Sequence, residues 1–451
     1  MHNAILAVDF GSTYTKVTAI SNEKAEILGT SKAFTTFETD IRDGLNAAVQ
    51  ELEKQTGKLN FSHKLAASSA GGGLKMVAVG LVPALTAKAA QTAACSAGAK
   101  VVKTFSYELT KADCAKIRQI NPDLVLLSGG TDGGNKDVIL HNAKMLAEID
   151  APFSVIIAGN KAAAEDAQTT LQAGDKHAVI CGNVMPAFNT LDAEPAKSAI
   201  NTLFLEKIIE AKGLTQAARE FSAPIIPTPL AVFECTQLLS QSLGDLLAVD
   251  VGGATTDVYS MCAGTPTLPG VALKGLPEPF AKRTVEGDLG LRHSQETLVE
   301  KLISDGATGN NLLPVGLEEY RKTCKENYAY VPEKNHPHAA IDALLCGIAV
   351  DMAVTRHAGF LESSYTPFGE AFSQTGKDLT GVRYVIGIGG SVIYSENPPE
   401  ILKNATQKQR GKILKPASPK LLLDKKYIFA AMGLLARMDK KRALSILESE
   451  L

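Results

Sequence analysis

The chain has 451 residues, 45% of them hydrophobic, and a formal net charge of −2 at pH 7. This length is enough for roughly three domains. The near-neutral charge provides no overall field for nucleic acid or an anionic membrane, so neither is expected as a partner. Seven cysteines without a Cys-x-x-Cys pair predict reduced thiols rather than a disulfide framework or a zinc site. No signal peptide and no uninterrupted run of ~18 apolar residues is visible, which predicts a cytoplasmic protein.

The chain opens with a strand, a tight turn and a second strand. Residues 6–17, LAVDFGSTYTKV, alternate apolar and polar side chains around an Asp-Gly turn. A period of two on both sides of a turn predicts a β-hairpin. A helix is predicted over residues 44–55, and residues 1–60 are assigned to a first half.

From residue 61 onward, short apolar strands alternate with Ala-rich helices. Such alternation implies right-handed βαβ units and a parallel sheet. Residues 61–185 are therefore predicted to form a doubly wound α/β module inserted in a larger domain. The GGG at 71–73 lacks the spacing of a dinucleotide-binding loop and is predicted to be a strand bend. The helices of the module are predicted near 86–96, 112–120, 137–149 and 161–171.

The rest of the chain is predicted to form a second half. Residues 186–245 connect the module to the main body and begin this half, which continues over 246–384. It contains a second hairpin, LAVDVGGATTDV, at 247–258. The last segment, 385–451, opens with a strand that ends in a Gly turn, VIGIGGSVI, and finishes in closing helices.

The two hairpins carry the residue types that a phosphate site needs. Glycine lets backbone N–H groups approach phosphate oxygens, hydroxyl groups add donors, and an aspartate behind them can hold hydrated Mg²⁺. One Asp-Gly turn is a common tight-turn sequence, but two copies followed by a third Gly turn predict a nucleotide site. The Gly turn at 387–391 suits a flat base and a ribose. The aligned positions are Asp9, Gly11, Thr15 and Val17 with Asp250, Gly252, Thr256 and Val258.

The candidate site residues follow from these three turns. Asp9 and Asp250 are the candidates for holding Mg²⁺ through water. Lys16 has three readings: contact with phosphate, a pair with Asp257, or a solvated lysine on a strand. The candidates for binding nucleotide are Gly11, Ser12, Thr13, Lys16, Gly252, Gly253, Thr255, Thr256, Gly387, Gly389, Gly390 and Ser391.

These elements, in this order, resemble those of the actin, sugar-kinase and heat-shock-chaperone ATPase superfamily. The resemblance implies two ribonuclease-H-like halves around a cleft that binds ATP and Mg²⁺. It also implies that Thr13 donates to phosphate and that Asp257 closes the second hairpin. The candidates for catalysis that it implies are Asp9, Asp250 and Asp257. EGDLGLR resembles the turn beside the nucleotide in the chaperones, which adds Glu286, Gly287 and Asp288 to the nucleotide-binding candidates.

Thr228 marks a departure from the superfamily pattern. The chaperones have an acidic residue before the proline that opens the corresponding helix, whereas this chain has TPLAVFE. The resemblance therefore leaves the catalytic base unidentified and implies weak ATPase activity.

Further stretches resemble a narrower group along nearly the whole chain. SSAGGGLKMVAVGLVPALT, LVLLSGGTDGGN, VIIAGNKAA and IIPTPLAVFE resemble the glutamate mutase accessory family, the MutL or GlmL proteins, which are unrelated to mismatch repair. The resemblance implies a chaperone-like reactivating factor for an adenosylcobalamin-dependent mutase. Glutamate (methylaspartate) mutase and an amino-acid aminomutase fit equally, and the implied work is exchange of damaged cobalamin.

Alternatives remain at this stage. The inserted module has the strand rhythm of a cobalamin-binding domain but lacks the Asp-x-His-x-x-Gly motif, so it is predicted to imitate or dock against such a subunit, or to be purely structural. A small-molecule kinase of the same fold and a non-hydrolysing, nucleotide-dependent scaffold for mutase assembly also stay open. A P-loop ATPase is excluded because the Gly-x₄-Gly-Lys-[Ser/Thr] motif is absent.

Overall fold

The structure is a computed structural model that describes residues 2–36, 39–69, 74–211, 214–308, 313–367, 369–407 and 412–451. The strand bend predicted at 71–73 lies outside these residues. The chain divides into two compact units. Unit 1 comprises Met1–Cys235, Gly275–Pro277 and Ala430–Ile446, and unit 2 comprises Thr236–Lys274, Glu278–Phe429 and Leu447–Leu451.

Strands and helices alternate through both units. A π-helical turn, Pro83–Ala87, precedes the second helix, and a 3₁₀ turn lies at Lys403–Ala405. Within the described residues the strands are β1 (His2–Phe10), β2 (Tyr14–Ser21), β3 (Ile27–Phe34), β4 (Leu59–Ser68), β5 (Lys75–Gly80), β6 (Lys100–Ser106), β7 (Leu124–Leu127), β8 (Ser154–Ile157), β9 (Ala178–Ile180), β10 (Ile226–Pro227), β11 (Leu246–Val251), β12 (Thr256–Met261), β13 (Val271–Lys274), β14 (Ala281–Glu286), β15 (Phe360–Thr366), β16 (Gly369–Thr375), β17 (Tyr384–Ile388) and β18 (Lys420–Leu423). The helices are α1 (Ile41–Thr56), α2 (Lys88–Ser96), α3 (Lys111–Ile120), α4 (Asp137–Ala147), α5 (Ala164–Ala173), α6 (Glu194–Ala211), α7 (Leu214–Ala218), α8 (Thr228–Leu243), α9 (Glu296–Thr308), α10 (Leu317–Glu326), α11 (Pro337–His357), α12 (Gly390–Ile393), α13 (Pro398–Leu402), α14 (Phe429–Ala436) and α15 (Lys440–Glu450).

Unit 1 contains a mixed sheet in the order β3-β2-β1-β4-β10. The first three strands in the chain pair antiparallel, and β4 and β10 continue the sheet parallel to β1. This is the strand order of a ribonuclease-H-like fold. Leu45, Ala48 and Leu52 recur at helical spacing and place α1 in the core of the unit.

Unit 2 repeats this arrangement. Its larger sheet has the order β14-β12-β11-β17-β18, with β11, β12 and β14 antiparallel and β17 and β18 parallel to β11. The predicted pair of ribonuclease-H-like sheets is therefore confirmed. A small sheet, β13-β16-β15, lies in the same unit.

The inserted module is also confirmed. Its sheet has the order β6-β5-β7-β8-β9, all parallel, with α2, α3, α4 and α5 in the connections. This 2-1-3-4-5 order is that of a flavodoxin-like, doubly wound sheet. Residues 59–68, most of which the sequence assigned to the module, form β4 and pair with β1 in the first sheet. The other boundaries between the segments stay predictions.

Helix α11 is the long apolar helix of unit 2. By length and composition it is the one helix in the described residues that could cross a membrane. Ile341, Leu345, Ala349 and Val350 lie in the core of unit 2, so its apolar composition serves packing. All seven cysteines are free, as predicted.

Candidate functional site

The first hairpin is closed tightly at Gly11. Its N–H donates to the Tyr14 carbonyl oxygen at 3.1 Å, and a Cβ there would lie 2.7 Å from that oxygen. A side chain at this position would therefore force the turn open. Ser12 is exposed and Thr13 is half-buried, so this turn presents hydroxyl groups at the surface of unit 1.

Asp9 is held from two sides within unit 1. Thr228, the first residue of α8, donates from its hydroxyl to Asp9 Oδ1 at 2.5 Å. Lys16, which faces Asp9 across the hairpin, places its ammonium nitrogen 3.6 Å from Oδ2. Lys16 is thus an ion-pair partner of the hairpin's own aspartate. Sequence reasoning missed the contact with Thr228, although it had marked that position as unusual.

The second hairpin brings two aspartates face to face. Asp250 and Asp257 are directly opposed in the register of β11 and β12. Like charges at such positions repel each other. Arg283 compensates for this, donating from Nε at 2.9 Å and from Nη2 at 2.5 Å to Asp257 Oδ1, while the Thr255 hydroxyl donates to Oδ2 at 3.0 Å. The predicted candidate Asp257 is therefore tied into a buried ion pair.

The 286–292 turn packs directly against the second hairpin. The N–H of Leu291 donates to the Gly252 carbonyl oxygen at 3.1 Å, and that of Arg292 donates to the Gly253 carbonyl oxygen at 2.8 Å. Gly290 has no room for a side chain because the backbone of Ala254 occupies the Cβ position. Thr256 donates its hydroxyl to the Leu289 carbonyl oxygen at 2.7 Å, so this candidate serves the same contact.

A buried arginine anchors this turn to the helices behind it. The Arg292 guanidinium lies 2.7 Å from the Asp342 carboxylate on α11 and 2.9 Å from the Tyr320 hydroxyl on α10. A buried arginine needs such compensation, since an unpaired charge would be costly in the interior. The turn that supports the second hairpin is therefore fixed by unit 2 itself.

The acidic side chains of the same turn bind Arg356 on α11. Its guanidinium nitrogens lie 2.7 Å from Glu286 and 2.7 and 2.9 Å from Asp288. The hydrogen bond from Arg356 lowers the pKa of Asp288, whereas burial raises the pKa of Glu286. Both predicted candidates thus have a structural partner on the helix, and Gly287 lies between them.

The third turn approaches the second hairpin inside unit 2. Strand β17 runs parallel to β11, with Ile388 opposite Asp250. Gly389 follows with a φ of 90°, and a Cβ there would lie 2.7 Å from Asp250 Oδ1 and collide with the backbone of Val251. Gly387 is similarly enclosed, and Gly390 and Ser391 begin the short helix α12. The candidates of unit 2 therefore adjoin one another.

We expect Gly389→Ala to lower the free energy of unfolding by about 2 kcal/mol, because it combines a left-handed backbone with a steric clash. Gly381→Ala is the matched control, since a Cβ at Gly381 meets nothing within 4 Å. Urea denaturation of both variants and the wild type measures the difference. Equal stability of the two variants would contradict the described packing at Gly389.

The donor set fits a hydrated magnesium ion. No group of three or more His, Cys, Asp or Glu side chains in the described part of the chain could hold a metal by itself. Mg²⁺ usually keeps several waters and takes only one or two carboxylates together with phosphate oxygens. Asp9 within unit 1 and Asp250 within unit 2 each provide a single carboxylate of this kind, followed by a tight glycine turn.

Comparison with known proteins gives a match along the whole chain. A family model described as "MutL protein" matches residues 5–451. Protein MutL of Clostridium tetanomorphum is 45% identical over 465 residues, covering 100% of this chain and 99% of the relative.

Solved structures overlap with the chain at low identity. Component A of the (R)-2-hydroxyglutaryl-CoA dehydratase of Acidaminococcus fermentans is 10% identical, with a TM-score of 0.32 and coverage of 98% of this chain and 99% of that one. The activator of the 2-hydroxyisocaproyl-CoA dehydratase from Clostridium difficile, solved with bound ADPNP, is also 10% identical, with a TM-score of 0.31 and coverage of 99% and 97%. The strand orders described above, rather than these overlaps, carry the fold assignment.

Proposed function

The chain belongs to the MutL protein family, the glutamate mutase accessory family, and on that premise we propose that it is an ATP-dependent accessory factor for an adenosylcobalamin-dependent mutase. One observation carries the ATP dependence. Asp9 and Asp250 are each the penultimate residue of the strand at which a ribonuclease-H-like sheet changes from antiparallel to parallel pairing. Each is followed by a tight glycine turn with hydroxyl side chains, as expected of a phosphate site.

The side chains of the hairpins have distinct roles in this proposal. Asp9 and Asp250 orient water on Mg²⁺, and the hydroxyl groups of Ser12 and Thr13 donate to phosphate oxygens, whereas the Thr255 hydroxyl is engaged by Asp257 Oδ2. Lys16 balances the charge at Asp9 and lies close enough to the turn to share its ammonium with phosphate. The Gly turn at 387–391 binds adenosine. When bound, Mg²⁺ neutralises phosphate charge, which is the main requirement for phosphoryl transfer.

Four candidates have a supporting role in this proposal. Asp257, Glu286 and Asp288 are neutralised by arginines, and the Thr256 hydroxyl is taken up by a carbonyl oxygen. A carboxylate already paired with a guanidinium competes poorly for a metal-bound water. We therefore assign these residues to holding the second hairpin in shape rather than to contact with the reacting phosphate.

We propose that the inserted module is the part of the chain that binds the mutase. Its loop at 129–135 follows β7 and is built by a buried asparagine, Asn160, which accepts from the Gly133 N–H and donates to the Gly134 and Asn135 carbonyl oxygens. Asn183 adds a bond to the Gly130 carbonyl oxygen. Gly133, Gly134 and Asn135 are nevertheless exposed. A rigid, exposed loop at the carboxyl edge of a parallel sheet suits recognition of a partner.

ADP release and ATP turnover, measured with and without a mutase that carries damaged cobalamin, test the proposal. Acceleration of both by the damaged mutase, and not by the intact one, is the expected result. Phosphorylation of a small molecule would instead identify a kinase. Nucleotide binding without turnover would identify a scaffold for mutase assembly, and no nucleotide binding would refute the ATP dependence altogether.

A further inference from the structure

The geometry points to Thr228 as the residue that positions Asp9 for the metal-nucleotide, an inference that rests on the proposed function. Thr228 lies 219 positions from Asp9 in the chain, yet its hydroxyl donates to Asp9 Oδ1 at 2.5 Å. Asp9 is buried, with 8% of the residue's surface exposed. A buried carboxylate needs donors, and Thr228 provides one of them.

The sheet register puts Thr228 beside Asp9. Ile226 of β10 pairs with Ala67 of β4, and Ala67 in turn pairs with Asp9 of β1. The chain thus leaves β10 level with the end of β1 and begins α8 at the next residue, Thr228. The hydroxyl of the first helical residue therefore reaches back to the carboxylate at the same edge of the sheet.

Local packing keeps this residue in place. Thr228 stands before Pro229, which restricts its backbone, and its β-branched side chain has few rotamers. Pro227, directly before Thr228, and Leu230, two residues after it, lie against Gly98 after α2, where a Cβ would come within 2.9 and 3.3 Å of their Cβ atoms. The donor is accordingly held by the core of unit 1 rather than by the loop around it.

The chemistry of threonine separates positioning from proton transfer. A general base needs a pKa near the working pH, and an aliphatic hydroxyl does not have one. Thr228 can therefore fix the orientation of Asp9 but cannot take a proton from an attacking water. With Lys16 at the other carboxylate oxygen, Asp9 is oriented from both sides.

Thr228→Val tests this role because valine keeps the shape and removes the donor. We expect the Mg²⁺ concentration that half-saturates ADP binding to rise about 10-fold, in the range found when partners of metal ligands are removed. The affinity for ADP without Mg²⁺ should stay at the wild-type value. Calorimetric titration of ADP without Mg²⁺, and then of MgCl₂ into the ADP-bound protein, measures these two quantities separately and does not rely on turnover.

Two controls and one replacement variant keep the test decisive. Thr228→Ser retains the hydroxyl and should restore the wild-type Mg²⁺ dependence. Thr92→Val removes a buried hydroxyl that donates to the Lys88 carbonyl oxygen and should leave Mg²⁺ dependence unchanged. If Thr228→Val does not fold, Thr228→Ala takes its place in the same titration.

The possible results distinguish the role of Thr228 from the proposed function of the protein. A Thr228→Val protein with wild-type Mg²⁺ dependence would overturn the role of Thr228 while leaving ATP dependence intact. An equal loss of ADP affinity with and without Mg²⁺ would also overturn it, since that pattern means general damage to the site. A wild-type protein that binds no ADP under either condition would instead refute the proposed function.

Discussion

Asp9→Asn and Asp250→Asn are each expected to lower Mg-ATP turnover by about 100-fold, the upper end of the effect of removing a group that orients metal-bound water. Asparagine keeps an oxygen in nearly the same place, so the Thr228 hydroxyl still has an acceptor at position 9. What is lost is the negative charge that attracts the hydrated cation. Steady-state phosphate release at saturating ATP, with thermal unfolding in parallel, measures the effect.

An exposed carboxylate provides the matched control. Asp43 lies on α1 and is exposed, so Asp43→Asn removes the same charge from unit 1 without touching a hairpin. It should retain wild-type turnover. If both hairpin variants also turn over ATP at the wild-type rate, the two Asp-Gly turns are not the phosphate site.

The hairpins were predictable because their signals are local. A period of two, an Asp-Gly turn and a short spacing lie within a dozen residues, and the hydrogen-bonded register then places Lys16 opposite Asp9. The parallel module was visible for the same reason, since each strand and helix carries its own periodicity. The local pattern could not show which sheet β4 joins. A buried strand in parallel pairing has the same apolar sequence pattern in either sheet.

The partners of the aspartates were not predictable in this way. Thr228 reaches Asp9 only because β10 and β4 bring distant parts of the chain to one sheet edge, and no spacing records that. Arg283 lies 26 residues from Asp257, on β14, the strand that pairs with β12. Nothing in the sequence around it distinguishes this arginine from a solvent-exposed polar residue of a strand. Sequence therefore predicted which groups would face phosphate, whereas the groups that hold these side chains became visible only in the fold.

Arg283→Met is expected to have the largest effect on stability, lowering the free energy of unfolding by about 3–5 kcal/mol, because it leaves the Asp257 carboxylate buried without its cation. Arg283 is 3% exposed and Asp257 is 7% exposed, so water cannot replace the lost partner. The loss is compounded at this position, since Asp250 lies directly opposite Asp257. Urea denaturation gives the free energy.

Two further variants identify the cause of that loss. Adding Asp257→Asn to Arg283→Met removes the stranded charge and should recover a large part of the stability, as a double-mutant cycle would show. Arg356→Met breaks an ion pair that is 38% exposed on the arginine side, where solvent screening limits the loss to about 1 kcal/mol or less. If the double variant were no more stable than Arg283→Met, packing rather than the buried charge would account for the loss. The pairing of Asp257 would then not explain why two aspartates can face each other beside the glycine turn of the second hairpin.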